Sequence, residues 1–333
     1  MPAYNMEAYM EKGLDSLVNA RNIGKAEIII VNDGSKDGTL KIARGYEERL
    51  PDVVKVIDKP NGHYGSCINA ALEIAAGRYF RILDADDWMD TAALEAFIDK
   101  LESCDADLVV TRRVEVETTF DGKQILTASH IEGIEYDRVY DAREFVIREH
   151  SSGCEFNMHS MTYKTGILRK ANLRLPEGIC YTDLLYCLVP LDRTETLAMF
   201  DLKLYHYRLA RPGSSTDRRS VRRNLTHIAT VLAKMFEYID GNKTDVKAIE
   251  ANRQRFACEA AGIFFESLRG QRFVRSRDYA NIAIILDGLK KHDIHNKLMD
   301  KYYFRPWVEK NTCAALNYSF FLWYATHPMK LIK

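Results

Sequence analysis

The chain has 333 residues, 47% of them apolar, with 47 basic against 47 acidic side chains and so no formal net charge. That length holds one large domain or two ordinary ones, and the apolar share sustains a sizeable core and argues against wholesale disorder. Charge neutrality argues against a nucleic-acid binder that works through a broad basic surface, while leaving local patches open. The seven cysteines (67, 104, 154, 180, 187, 258 and 313) are scattered and include no C-x-x-C pair. Free thiols of a reducing cytoplasm are therefore expected, and neither a zinc site nor a disulfide frame. No signal peptide opens the chain and no eighteen-residue apolar run crosses it, so a soluble, intracellular protein is expected.

In chain order, "YNMEAYMEKGLDSLVNA" places Met6, Tyr9, Met10, Leu14, Leu17 and Val18 at helical spacing, with Asn5 as N-cap. "EIIIVN" is a β-branched run suited to a strand covered on both faces. "TLKIARGYEERL" predicts a helix, "VVKVI" a strand, and "SCINAALEIAAG" a helix that stops at Gly77. The strand "YFRIL" follows, then a helix over residues 91–103 and the strand "DLVVTRRVEV". This alternation predicts an α/β fold, a parallel sheet wound with helices on both faces. Beyond it, "RVEVETTFDGKQILTA" predicts a hairpin around Asp121-Gly122. "DAREFVIREH" and "TDLLYCLVPLD" read as helices, "TLAMFD" and "KLYHYRLA" as strands, and the text from about Asp217 onward as helical. A wound sheet normally begins on a buried strand, whereas this chain opens on "MPAYN", already at the start of a helix, so the first strand is expected to be truncated.

Ligands of open α/β sheets bind outside the carboxyl ends of the strands. Three polar clusters fall at such ends: "VNDGSKDGT", "DKPNGHYGS" and "DADDW". Taken singly, the first is a glycine-rich turn in which Asp37 or Thr39 caps the next helix; alternatively, Asp33 accepts hydrogen bonds from a nucleotide's base or ribose. The third reads plainly as an acidic loop with Asp90 capping a helix. Yet the apolar strand "YFRIL" runs straight into Asp84, Asp86 and Asp87, which points the acids into a cleft and demands a positive partner. Asp84 and Asp86, two residues apart, suit a hard divalent cation such as Mn²⁺ or Mg²⁺ with room for phosphate oxygens. His63 and Tyr64 read as exposed loop residues, with contact to substrate as the alternative.

The ordered set "PAYN", "VNDGSKDGT", "NGHYGSCINAAL" and "RILDADDW", continued by "LPEGICYTDLLY" and "LYHYRLARPGSST", resembles the family 2 glycosyltransferases of the GT-A fold over roughly residues 2–217. The resemblance implies a GT-A catalytic domain over residues 1–216 and a helical region over 217–333. It places Pro2, Ala3, Tyr4 and Asn5 along the nucleotide pocket, with Asp33 at the base and Asn69 nearby. Asp84-Ala85-Asp86 matches the D-x-D motif, with Asp86 as the main metal ligand to the donor diphosphate and Asp84 serving the ribose or a metal-bound water. It further implies inversion by direct displacement, with a carboxylate base on the acceptor hydroxyl. That base commonly lies in an acidic pair; here Thr182 stands in place of the first acid and Asp183 remains. On position alone Asp183 is equally a helix N-terminal acid.

"YRLARPGSSTD" brings Arg208, Arg211, Gly213 and Ser214 just ahead of a helical run, a combination suited to a diphosphate and, by resemblance, to a loop that covers the donor. The tail "NYSFFLWYATHPMKLIK" reads as a core helix, with contact to an anionic membrane near a lipid-linked acceptor as the alternative. The expected activity is transfer of a sugar from a nucleoside-diphosphate donor, UDP-based, to a saccharide or lipid-linked acceptor in surface polysaccharide assembly. Two competitors stand beside it. A sugar nucleotidyltransferase would carry Arg and Lys at the first strand end, where this chain has "PAYN". A degenerate sugar-nucleotide binder or scaffold is motivated by Thr182 and the short start.

Overall fold

The computed structural model describes residues 1–119, 121–128, 134–145, 156–209, 211, 213–215 and 217–268, together with 285, 288–289 and 291–292. The chain divides into two compact units: Met1–Ser214 with Asp245–Ala251, and Ser215–Thr244 with the described residues from Asn252 onward.

The first unit opens with β1 (Pro2–Ala3), α1 (Met10–Val18), β2 (Ile28–Asp33), α2 (Thr39–Arg49), β3 (Val54–Lys59) and α3 (His63–Ile74). There follow β4 (Tyr79–Arg81), β5 (Trp88–Met89), α4 (Thr91–Ser103), β6 (Leu108–Thr118), β7 (Gln124–Ala128), β8 (Val139–Asp141), β9 (Met161–Lys164), α5 (Thr165–Lys170), α6 (Asp183–Leu188) and β10 (Thr196–Arg208). Strands β1, β2 and β3 form a parallel sheet in that order, and its register sets Asp33 beside Lys59. The other strands form a mixed sheet in the order β4-β9-β6-β10-β5, in which β6 and β10 are parallel and the other neighbours antiparallel.

Alternation along β2 explains its full burial. Ile28 and Ile30 enter a core built with Met10, Leu14 and Leu17 of α1, Tyr46 of α2, and Leu94, Phe97 and Ile98 of α4. Ile29 and Val31 point the other way and are equally buried, and α3 packs against β2. Helices on both sides of a wound sheet give the α/β architecture that the alternating pattern implies.

Several local expectations are corrected. Helix α1 begins at Met10, not beside Asn5, because Asn5 takes a left-handed conformation (φ 53°) that Asn tolerates and a helix does not. Helix α3 ends at Ile74, ahead of Gly77, because Glu27 Oε1 accepts the N–H groups of Ala76 and Gly77 at 2.6 and 2.8 Å and turns the chain away. The strand "YFRIL" pairs only over Tyr79–Arg81, although Ile82 and Leu83 stay buried. "TLAMFD" and "KLYHYRLA" are one strand, β10, broken by irregularities between Phe200 and Tyr205. Of "DAREFVIREH", Asp141 ends β8 and residues 142–144 form a turn, while 146–150 lie outside the described residues. Strand β9 and helix α5 were not expected, since "SMTYKTGILRK" is too short for either period to show. The hairpin at Asp121-Gly122 and the Asp90 cap of α4, which accepts Ala93 N–H at 2.8 Å, are as expected.

The second unit is helical: α7 (Arg218–Arg223), α8 (Leu225–Gly241) and most of α9 (Lys247–Leu268). Asp217 caps α7, and α8 buries Ile228, Leu232, Met235, Phe236 and Ile239 at helical spacing. No described helix is long and apolar enough to cross a membrane. The tail from residue 317 lies outside the described residues.

Helix α1 lies directly over the acidic loop: a Cβ on Gly13 would sit 2.6 Å from the backbone oxygen of Asp87, whereas one on Gly45 of α2 would meet nothing within 4 Å. Gly13→Ala is expected to cost about 1–3 kcal/mol by overpacking, and Gly45→Ala to stabilise by about 0.5–1 kcal/mol. Denaturant midpoints of the two variants should therefore move in opposite directions.

Candidate functional site

The loop after β1 is stitched to the loop after β2. Asn5 N–H donates to Ser35 Oγ at 3.0 Å, Lys36 N–H returns a bond to Asn5 Oδ1 at 2.8 Å, and Met6 N–H donates to Thr39 Oγ1 at 2.7 Å. Glu7 closes the set by accepting Gly38 N–H at 2.5 Å. Asp37 accepts from both the N–H and the hydroxyl of Thr39. In the stretch expected along a nucleotide, Ala3 is buried in the core, Pro2 is half-buried and Tyr4 stands exposed.

Asp33, at the end of β2, is 3% exposed and holds Lys59 Nζ at 2.6 Å and Gly62 N–H at 2.9 Å. The Lys59 ammonium also donates to Ser66 Oγ (2.7 Å) and the Pro60 carbonyl (2.8 Å). Gly34 makes this junction possible: its φ is +71°, and a Cβ there would sit 2.9 Å from Asn61 N.

Asn69 faces a different partner. Its amide accepts Leu175 N–H and donates to the Leu175 carbonyl, both at 2.9 Å, and donates to Glu177 Oε1 at 3.0 Å. With Gly178 N–H on the Gly62 carbonyl (2.8 Å), these bonds clasp the segment after α5 onto α3. That segment leads through Tyr181, at φ +66°, into Thr182 and Asp183 at the start of α6. Thr182 is fully buried and its Oγ1 has no hydrogen-bond partner. The Asp183 charge reaches Tyr64 and Asp84, raising the pKa of both.

The three acids after β4 meet three different surroundings. Asp87 is 1% exposed; Tyr205 O–H donates to it at 2.7 Å and Arg208 N–H at 2.8 Å, tying the loop to the end of β10. Burial, then the charges of Asp84 and Asp86, hold its carboxyl well above the usual range. Asp86 pairs with Arg211 Nε at 2.6 Å, while Arg208 Nε donates to its carbonyl at 2.9 Å. Both guanidiniums lie over the Tyr9 ring, at 5.4 and 5.3 Å from its centre, and Arg208 also over Trp88 at 5.1 Å.

Asp84 receives the Tyr64 hydroxyl on Oδ1 at 2.8 Å, and its Oδ2 faces His159 Nε2 at 3.9 Å. Burial and the adjacent Asp86 push its pKa up to about 7, with Asp183 adding to the rise. Among the described residues, one ligand atom each from Asp84, Asp87 and His159 lie within 4.8 Å of one another.

Residues 1–164 match the family described as "Glycosyl transferase family 2". They belong to that family. The uncharacterized glycosyltransferase EpsJ of Bacillus subtilis is 27% identical over 226 residues, which cover 65% of this chain and 62% of that protein. The chondroitin synthase of Pasteurella multocida is 38% identical over 95 residues, 28% of this chain and 10% of the synthase. The matched stretch thus spans less than two thirds of the length of either relative. Among solved structures, the mannosyltransferase PcManGT from Pyrobaculum calidifontis, in complex with GDP-Man and Mn²⁺, superposes with a TM-score of 0.50 at 16% identity, covering 98% of this chain and 84% of that one. The fold is that of the GT-A glycosyltransferases.

The donor set at Asp84 fits a divalent cation. A carboxylate oxygen and an imidazole nitrogen face each other at 3.9 Å, beyond hydrogen-bond reach, a spacing that a shared cation would bridge. Arg208, Arg211, Asp84, Asp86 and Asp183 come together around one loop. Asn69 and Ala3 are turned to structural partners, and Ser214 lies in the turn after Arg211, its N–H donating to the Arg211 carbonyl at 3.1 Å. His159, Asp87, Tyr205 and Lys59 were not singled out as site residues from the sequence. Tyr64, expected to be an exposed loop residue, is half-buried on Asp84. For Lys59 the signal was available, because the ends of the successive strands β2 and β3 carry the acid and the lysine side by side in a parallel sheet; for His159 there was none.

Two tests follow from this geometry. Lys59→Met leaves Asp33 buried without its cation and is expected to cost about 3 kcal/mol, largely restored by adding Asp33→Asn; urea unfolding measures both. For Asp84 the folded pKa is raised from 3.8 to about 7, so the folded state holds that proton more tightly than the unfolded chain. Its contribution is full below about pH 4 and is lost as pH rises to about 7. Without metal, the wild-type Tm should fall more between pH 5 and pH 8 than that of Asp84→Asn, and added Mn²⁺ should restore more of it at the higher pH.

Proposed function

We propose that the chain is an inverting glycosyltransferase that moves a sugar from a nucleoside-diphosphate donor, UDP-based, to a saccharide or lipid-linked acceptor in the assembly of a cell-surface polysaccharide. The observation that carries this reading is the convergence of Asp84, Asp86 and Asp183, from segments a hundred residues apart in sequence, on one loop already faced by Arg208 and Arg211. The likeness to a chondroitin synthase supports a saccharide acceptor. Residues 1–216 would form the catalytic domain and residues 217–333 a helical addition.

Asp183 is the general base: it takes the proton of the acceptor hydroxyl as that oxygen attacks the anomeric carbon and the bond to the diphosphate breaks on the opposite face. Arg208 and Arg211 receive the charge that develops on the leaving diphosphate, bidentate donors suited to phosphate oxygens. On donor binding Arg211 would exchange Asp86 for phosphate oxygens, freeing the Asp86 carboxylate. Asp84 and Asp86 would hold a divalent cation, which would supply further positive charge against the diphosphate. The loops after β1 and β2, with Pro2, Tyr4, Asn5 and Asp33, border the nucleoside; Asp33 accepts an N–H of the base through the oxygen turned from Lys59.

The test is calorimetry and turnover with UDP-sugars. Asp86→Ala should abolish Mn²⁺-dependent UDP binding. Asp183→Asn should keep that binding and lower kcat by about 10²–10⁴-fold. A well-folded wild-type chain that binds no nucleoside diphosphate in the presence of Mn²⁺ sinks the reading.

A further inference from the structure

His159 lies outside every motif that marks the catalytic domain, yet its ring is held as metal-ligating histidines are. It sits just before β9, in a stretch of no recognisable pattern, and its side chain is 14% exposed. Its Nδ1 lies 3.1 Å from Asn157 Oδ1, which also accepts the His159 backbone N–H at 3.0 Å. Because that backbone group is necessarily a donor, the Asn157 atom is fixed as the amide oxygen, and the ring proton is therefore on Nδ1. Nε2 is left as a bare lone pair, and it is this atom that faces Asp84 Oδ2 at 3.9 Å, too far for a shared hydrogen and suited to a shared ion. The ring packs edge-on against Tyr205 (4.9 Å between centroids) and tilted against Tyr207 (4.6 Å), which hold its orientation.

We propose that His159 Nε2 is a metal ligand of this glycosyltransferase, with Asn157 fixing its tautomer, and that this nitrogen makes the site select a transition-metal dication such as Mn²⁺ over Mg²⁺. The inference rests on the functional reading above, since it concerns the cation at Asp84. The chemistry is general. Mg²⁺ holds to an all-oxygen shell and sheds water reluctantly, whereas imidazole nitrogen suits transition metals. A carboxylate pair alone leaves the choice between Mn²⁺ and Mg²⁺ open; a buried, oriented imidazole closes it. Asn157 plays the outer partner that metal-bound histidines use to set ring orientation and basicity.

The experiment uses the full chain labelled with ¹⁵N-histidine, with Mn²⁺ and UDP added, read by electron spin echo envelope modulation. A ¹⁵N coupling to bound Mn²⁺ is expected for the wild type and for no variant at position 159. In parallel, calorimetry in the presence of UDP compares Mn²⁺ and Mg²⁺ on wild type, His159→Asp and Asn157→Ala. His159→Asp should weaken Mn²⁺ by about 10–100-fold while leaving Mg²⁺ within about threefold, and Asn157→Ala should weaken Mn²⁺ by about tenfold. Bound Mn²⁺ with no nitrogen coupling, or a Mn²⁺-over-Mg²⁺ preference unchanged in His159→Asp, overturns the inference and leaves the glycosyltransferase reading standing. No Mn²⁺ binding to wild type with UDP overturns both. Because the spectroscopic readout is made on the wild-type chain, it decides the question even where a variant fails to fold.

Discussion

Three carboxylates within four residues, at the end of a buried strand, are the constraint on which this structure turns. Like charges at that spacing in a partly desolvated place repel strongly, and each is answered from a different direction. Asp87 is answered by a tyrosine hydroxyl and a backbone N–H of β10, Asp86 by a guanidinium from the turn beyond β10, and Asp84 by Tyr64 of α3. The acidic loop therefore gathers the end of β10 and the start of α3 around itself, and it cannot be rearranged without freeing a buried charge.

The consequence is a division of labour among chemically identical side chains. Asp87 is consumed by structure: both its oxygens are bonded, and it fixes where Arg208 leaves the strand. Asp86 is held in a pair whose partner, Arg211, also lies over the Tyr9 ring. Asp84 keeps one oxygen facing a neutral imidazole. Burial, hydrogen bonding and the reach of neighbouring charges separate the three roles, as they separate the members of any acid cluster in one site.

Helix α3 organises the opposite wall. Its first turn carries Tyr64 to Asp84, its middle carries Asn69 to Leu175 and Glu177, and its close approach at Gly65, where a Cβ would lie 2.2 Å from the Pro176 carbonyl oxygen, admits no side chain. The segment that delivers Asp183 is thereby held against the same helix that touches Asp84. A clasp of this kind fixes distance between two acids more rigidly than contacts between the acids themselves, because the two Asn69–Leu175 bonds at its heart are buried and neutral.

What the sequence by itself determined is the wound α/β layout, the polar clusters at the strand ends and the acids Asp33, Asp84, Asp86 and Asp183. Those features are local: apolar period, turn chemistry and motif spacing are written within ten or so residues of one another. The tertiary structure alone decided the mixed sheet with β9 between β4 and β6, the pairing of Asp33 with Lys59, the turning of Asn69 toward Leu175, and the arrival of His159 and Tyr64 at Asp84. His159 and Asp84 are 75 positions apart, joined only because β9 lies antiparallel between β4 and β6. No periodicity within either segment encodes that pairing. It follows from which strand edges were left to be satisfied, and that is a property of the assembled sheet.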